Sequence, residues 1–151
     1  MTTPLLFDVR VAADRFDPGA ELARLEATGG GGVASFTGIV RGDGGLTELF
    51  LEHHPGMTAA AMAAIGRQAA ARWPLLGLIL IHRHGGLAPG ERIVFVGTAA
   101  RHRGAALEAA TFLIDWLKTK APFWKRERFA DGTTRWVEAA AADDAAAARW
   151  G

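Results

Sequence analysis

The stretch Lys118-Thr-Lys-Ala-Pro-Phe-Trp-Lys-Arg126 sets four cations around a proline–aromatic break. A lysine crowded by other cations has its neutral form favoured, which suits a base, an acid or a nucleophile. A second cluster, Arg101-His102-Arg103, stands at the expected mouth of a helix. Cations there oppose the helix macrodipole and cost roughly 0.3–1 kcal/mol each when exposed. Stability alone would place Asp, Ser or Thr at that point. Backbone N–H groups and two guanidiniums make an anion site instead. If the fold joins the two clusters, they form a pocket for an anionic small molecule with lysines placed to act on it. For the lysines, a solvated basic face stays equally open on spacing alone, since a last helical turn favours lysine in any case. Lys118 and Lys120 are two residues apart and point to different faces, so at most one shares a site with the helix's inner side.

Arg41 ends a strand before a glycine-rich turn, within reach of a neighbouring pocket, although a lone arginine there is more often a surface residue. His53-His54 and His82-x-His84 lack an accompanying carboxylate pattern, so no metal is expected. Phe36 and Trp73 read as packing. Gly29–Gly32 precedes a strand, whereas a dinucleotide fingerprint follows one and opens a helix. The chain has no cysteine, which excludes disulfides, thiolate metal sites, Cys nucleophiles and any sulfur carried on its own thiol. It has no tyrosine either, so a phenolic acid or base is excluded. With 17 basic and 16 acidic side chains, the charge is too balanced for general nucleic-acid binding. No apolar run approaches the roughly 18–20 residues of a membrane span, and the N-terminus lacks the plan of a secretory signal. Cytoplasmic residence, with no membrane or nucleic-acid partner, is the expectation.

The elements that must position these residues follow from periodicity. At 151 residues a single domain, 1–151, can bury a real core. Leu5–Val11 reads as a strand, and Pro18–Ala27 as a helix capped by Asp17. Val33–Val40 and Leu46–His53 read as a hairpin across the Gly-Asp-Gly-Gly turn at 42–45. Pro55-Gly56 reads as a breaker before a helix over Met57–Trp73, whose stripe is Met62, Ile65, Ala69 and Trp73. Leu76–His82 and Arg92–Ala99 read as buried strands. A second helix spans Ala105–Leu117 and stops ahead of Pro122. Phe123–Arg128 and Arg135–Val137 form a closing hairpin around Asp131-Gly132, and an Ala-rich tail, 139–149, forms a short helix. The class is α+β, or a mixed α/β sandwich with helices packed on a largely antiparallel sheet.

In order along the chain, several segments resemble one family: Ser35–Arg41, Leu51–Met57, Ile81-His82-Arg83, Pro89-Gly90, Val94–Gly97, Arg101–Arg103, Leu117–Glu127 and Arg135–Glu138. They resemble the large, catalytic subunit of molybdopterin synthase, from about Phe7 to Trp150. The Lys-Thr-x-Ala-Pro-x-Trp-Lys segment is highly specific. His54 stands where the family more often has Tyr, and the 42–48 turn is short.

The resemblance implies a hammerhead-like arrangement with a small β subdomain. It implies sulfur transfer in molybdenum cofactor biosynthesis, from cyclic pyranopterin monophosphate to molybdopterin, with no permanently bound cofactor. The sulfur donor would be a small ubiquitin-like subunit whose C-terminal Gly-Gly carries a thiocarboxylate. The assembly would be a central homodimer with one small subunit at each end, a heterotetramer overall. Carried over by position, Lys118 is catalytic and Lys125 assists. Arg126 and Glu127 complete that wall, His102 and Arg103 hold the phosphate or the pterin edge, and Ile39, Val40 and Arg41 line the opposite side. Phe36 and Arg135 border the pocket for the partner's tail. Two other classes stay in play: a non-catalytic module that captures a phosphorylated pterin or nucleotide, and a scaffold for a ubiquitin-like protein.

Overall fold

The computed structural model describes residues 4–137 and 141–150, so Glu138 and the first two residues of the Ala-rich tail lie outside the described residues. In chain order the elements are β1 (Leu6–Ala12), α1 (Pro18–Glu26), β2 (Gly32–Ile39), β3 (Leu46–His53), α2 (Pro55–Arg72), β4 (Leu75–Arg83), β5 (Gly85–Leu87), β6 (Arg92–Ala100), α3 (Arg103–Thr119), β7 (Phe123–Phe129), β8 (Thr134–Trp136) and α4 (Ala141–Ala148). They build two four-stranded sheets, β1-β4-β6-β2 and β5-β3-β7-β8. Among the described residues only β1 with β4 is a parallel pairing. The class is α+β.

The aliphatic run of β4 explains the layering. Leu78, Ile79, Leu80 and Ile81 are all buried, 1 % exposed or less, and successive side chains leave opposite faces of the sheet. Leu78 and Leu80 pack with Met62, Ile65 and Ala69 of α2 and Leu113 of α3. Ile79 and Ile81 pack with Leu25 of α1, Phe16 and Phe95. A strand covered on both faces needs no polar alternation, and each such side chain contributes roughly 1.5–3 kcal/mol by burial. Asp17 caps α1 by accepting from the Gly19 N–H at 3.0 Å. Pro55 occupies the first turn of α2, where its missing N–H costs nothing; it therefore starts that helix.

One pairing expected from sequence is overturned. β3 does not form a hairpin with β2: β2 pairs with β6, while β3 pairs with β5 and β7 in the other sheet. Residues Asp43–Gly45 form a tight 3-10 turn in which Gly44 and Gly45 have φ of 65° and 79°. That left-handed backbone, open to glycine, sends the chain out of the first sheet. The Val40 N–H meanwhile donates to the Glu91 carbonyl at 2.9 Å, tying the end of β2 to the loop before β6.

Gly30–Gly32 also has a packing role. A Cβ on Gly30 would stand 2.4 Å from the Ala100 carbonyl oxygen, one on Gly31 2.6 Å from that of Arg101, and one on Gly32 3.2 Å from the Arg103 Cα. The glycines let this segment lie against the backbone that leads into α3. Among the described residues no helix is long and apolar enough to cross a membrane.

Candidate active site

The seam between the two sheets holds the site. Helix α3 is fixed to the first sheet by the Thr98 hydroxyl, which donates to the Ala106 carbonyl at 2.6 Å. This aims the last turn, with Lys118, at the end of β2. There β2 carries a bulge between Gly38 and Ile39, which re-aims a side chain at a strand end and leaves Ile39 46 % exposed. The chain leaves α3 through Pro122, whose carbonyl accepts from the buried Thr58 hydroxyl of α2 at 3.3 Å. Strand β7 then starts in the second sheet and returns Lys125 to the same seam.

Two neighbouring cavities share Ile39, Ile93, Lys118 and Lys125. The larger, about 540 Å3, is also lined by Val40, Arg41, Asp43, Glu127 and Arg135, and has the size of a small-molecule site. Four cations face two carboxylates in it. Each carboxylate is held by an arginine: Glu127 by Arg135 at 2.9 Å and Asp43 by Arg41 at 3.2 Å. The smaller cavity, about 40 Å3, is lined by Phe36 and His82 beside the shared residues, and holds little more than a water or a carboxylate-sized group.

Three of the proposed site residues are not in either cavity. Strand alternation puts Lys125 and Glu127 on one face of β7 and Arg126 on the other. The Arg126 guanidinium lies over Phe50 at 5.1 Å and Trp136 at 5.9 Å, so Arg126 does not complete the wall that Glu127 does. His102 and Arg103 begin α3 and Lys118 ends it, fifteen positions or about 22 Å of helix away. Within one chain the two cationic clusters do not converge. His102 caps the helix without a side-chain hydrogen bond, and the first turn has no acidic residue. The cations therefore do remain at a helix N-terminus without local compensation.

Sequence reasoning passed over His82. Its Nδ1 lies 2.8 Å from the Arg83 carbonyl oxygen, and its ring stacks on Phe123 with centroids 3.9 Å apart and planes 21° apart. Burial pushes its pKa down to about 3; the Arg83 hydrogen bond opposes this, and the charges of Lys125, Lys118 and His53 reinforce it. Next to it His53 packs against His84 at 4.3 Å, and its buried Nδ1 has no hydrogen-bond partner among the described residues. Burial, then His84 and His54, hold the His53 pKa below the usual histidine range. Among the described residues no three His, Asp or Glu gather to hold a metal. The alternating His-x-His at the end of a buried aliphatic strand is the sequence signal that marks His82.

Comparison with known proteins agrees over nearly the whole chain. The family model described as MoaE protein matches residues 11–120. The molybdopterin synthase catalytic subunit of Pseudomonas aeruginosa is 52% identical over 147 residues, covering 94% of this chain and 97% of its own. That of Escherichia coli is 52% identical over 124 residues, covering 80% and 81%. The solved MoaE protein of Burkholderia ambifaria superposes with a TM-score of 0.82 at 45% identity, over 97% of this chain and 99% of its own. The chain belongs to the MoaE family, the catalytic subunits of molybdopterin synthase, an enzyme of molybdenum cofactor biosynthesis.

Proposed function

We propose that the seam cleft transfers sulfur to cyclic pyranopterin monophosphate, yielding molybdopterin, from the C-terminal thiocarboxylate of a small ubiquitin-like subunit. The observation that carries this reading is that Lys118 and Lys125, from different elements, open into the same pair of cavities. With no cysteine in the chain, the sulfur must arrive on a partner. Each transfer forms one carbon–sulfur bond on the substrate as a carbon–oxygen bond at the same carbon breaks, the displaced oxygen staying on the phosphate in one transfer and leaving as water in the other. Water then cleaves the acyl carbon–sulfur bond, and the tail leaves as a carboxylate. The thiocarboxylate is already nucleophilic, so the protein supplies orientation and charge. Lys118 stabilises negative charge as it develops and moves protons, and Lys125 assists from the facing strand. Arg41, Ile39, Val40 and Glu127 line the substrate's side, with Phe36 and Arg135 at the path of the tail.

His102 and Arg103 enter this site only from a second copy of the chain. One chain holds them a helix length from its own Lys118, so the expected homodimer is what brings a phosphate-binding cluster to each cleft.

Replacing Lys118 by Ala separates catalysis from capture. With thiocarboxylated partner and pterin precursor, turnover should fall about 100- to 1000-fold, the usual loss when a charge-stabilising group is removed. Precursor affinity measured by calorimetry should fall far less. Retained turnover refutes the reading in favour of a binding module. Dithiolene formation from purified components separates the enzyme from a scaffold.

A further inference from the structure

We infer that His82 is a positioning residue of this site: its Nε2 is a hydrogen-bond acceptor, open to one ammonium at a time, that aims Lys118 and Lys125 into the cleft. What those lysines accomplish rests on the sulfur-transfer reading above. The assignment of the acceptor rests on the imidazole itself.

The Arg83 carbonyl, 2.8 Å from Nδ1, can only accept, so Nδ1 must carry the hydrogen. Burial keeps the ring neutral down to about pH 3. A neutral imidazole has one N–H, and the other nitrogen offers a lone pair. Nε2 is therefore an acceptor and not a donor. The ring cannot turn away from that task, since it is held between the Arg83 carbonyl and the face of Phe123. The smaller cavity is lined by His82, whose side chain can accept, by the two cationic residues Lys118 and Lys125, and otherwise by apolar residues. Lys118 from α3, Lys125 from β7 and His53 from β3 are the charged or titratable groups that act on the ring.

Packing alone does not account for a histidine here. The four residues before it on the same strand, Leu78–Ile81, are all aliphatic, and an apolar side chain would stack on Phe123 without desolvating two nitrogens. A fixed lone pair in the cavity that two flexible lysine stems share limits the rotamers of their ends, which is the entropy and orientation contribution a reacting group requires.

Two near-isosteric replacements separate this role from a structural one. Asn presents a donor where Nδ1 stands, keeping the tether to the Arg83 carbonyl but losing the ε acceptor. Gln places its carbonyl near Nε2, keeping the acceptor but losing the tether. In the full assay with thiocarboxylated partner, His82→Asn should lower kcat about a hundredfold, the loss that accompanies a misplacement of about 1 Å, with KM little changed. His82→Gln should recover most of that loss. A purely structural histidine gives the reverse order, with Asn the better substitute, and that order overturns the inference. So does His82→Asn at wild-type kcat while Lys118→Ala is inactive; the sulfur-transfer reading then survives. Lys118→Ala at wild-type turnover overturns both. The second measurement needs no substitution at His82: 15N NMR of the imidazole at neutral pH in the wild type and in the two lysine variants. An Nδ1–H ring whose Nε2 resonance moves in Lys118→Ala or Lys125→Ala is expected, whereas an Nε2–H ring overturns the inference.

Discussion

His82 makes a stability prediction separate from catalysis. Its pKa, pushed by burial to about 3 in the fold, lies below the value of about 6.5 in an unfolded chain. The unfolded state thus binds the extra proton, so stability is full above pH 6.5 and falls as pH drops towards 3. The slope from this one group is about 1.4 kcal/mol per pH unit. Unfolding free energies from urea melts between pH 7 and 4 should fall less steeply in His82→Asn than in the wild type, by about that slope. Arg126 makes the contrary case on β7. Its guanidinium faces two aromatic rings and not the cleft, so Arg126→Ala should lower stability by about 0.5–1 kcal/mol. Turnover should stay within about twofold of wild type in steady-state assays. The alternation that separates Lys125 from Arg126 was legible, because the two residues adjoin on a strand recognised from sequence. Adjacent residues on one strand cannot share a wall, because the pleat sends them to opposite faces. The neutrality of His82 was not legible, since nothing local in the sequence announces Phe123 lying across its ring.

Elements obey the same distinction. Strand β4, both long helices and the β7–β8 hairpin were readable because burial there follows period, and period is local. The supposed β2–β3 hairpin failed because a glycine turn specifies that the chain bends without specifying which sheet it joins. Gly44 and Gly45, both at positive φ, direct it into the second sheet. Glycines 29 and 30 show the two uses of the residue side by side. Gly29 has φ of 87° with nothing near a would-be Cβ, whereas Gly30 would drive a Cβ into the Ala100 carbonyl. Gly29→Ala should cost about 1–2 kcal/mol through backbone strain alone. Gly30→Ala should cost about 1–3 kcal/mol by overpacking and raise the KM for the pterin, because the displaced backbone leads into Arg101–Arg103. Denaturant melts and KM measured on both variants check the contrast. An unchanged KM in Gly30→Ala would show that the close approach serves stability only.

At the scale of the molecule, α3 sets the argument. The sequence already bounded this helix well enough to place its two ends some 20 Å apart. A helix of that length keeps the clusters apart within one chain. If each cleft takes Lys118 from one protomer and Arg103 from the other, two inactive variants should rescue each other. Equal amounts of Lys118→Ala and Arg103→Ala chains, unfolded together and refolded, should give hybrid dimers in half of the population, each with one intact site. Activity near a quarter of wild type is then expected, read as dithiolene formed per dimer. No recovery on mixing would place both groups in a single protomer's cleft and contradict the helix geometry. The two-faced β7 also has a consequence for chain length. Deleting one residue between Pro122 and Lys125 would exchange the strand's sides, presenting arginine to the substrate and burying the lysine's role outside. An extra residue at the Asp131-Gly132 tip, beyond the last lining position on β7, would change no parity on that strand, and a longer turn would absorb it while Arg135 keeps its pairing with Glu127. Indels should be lethal at the first place and harmless at the second, whatever amino acid is involved.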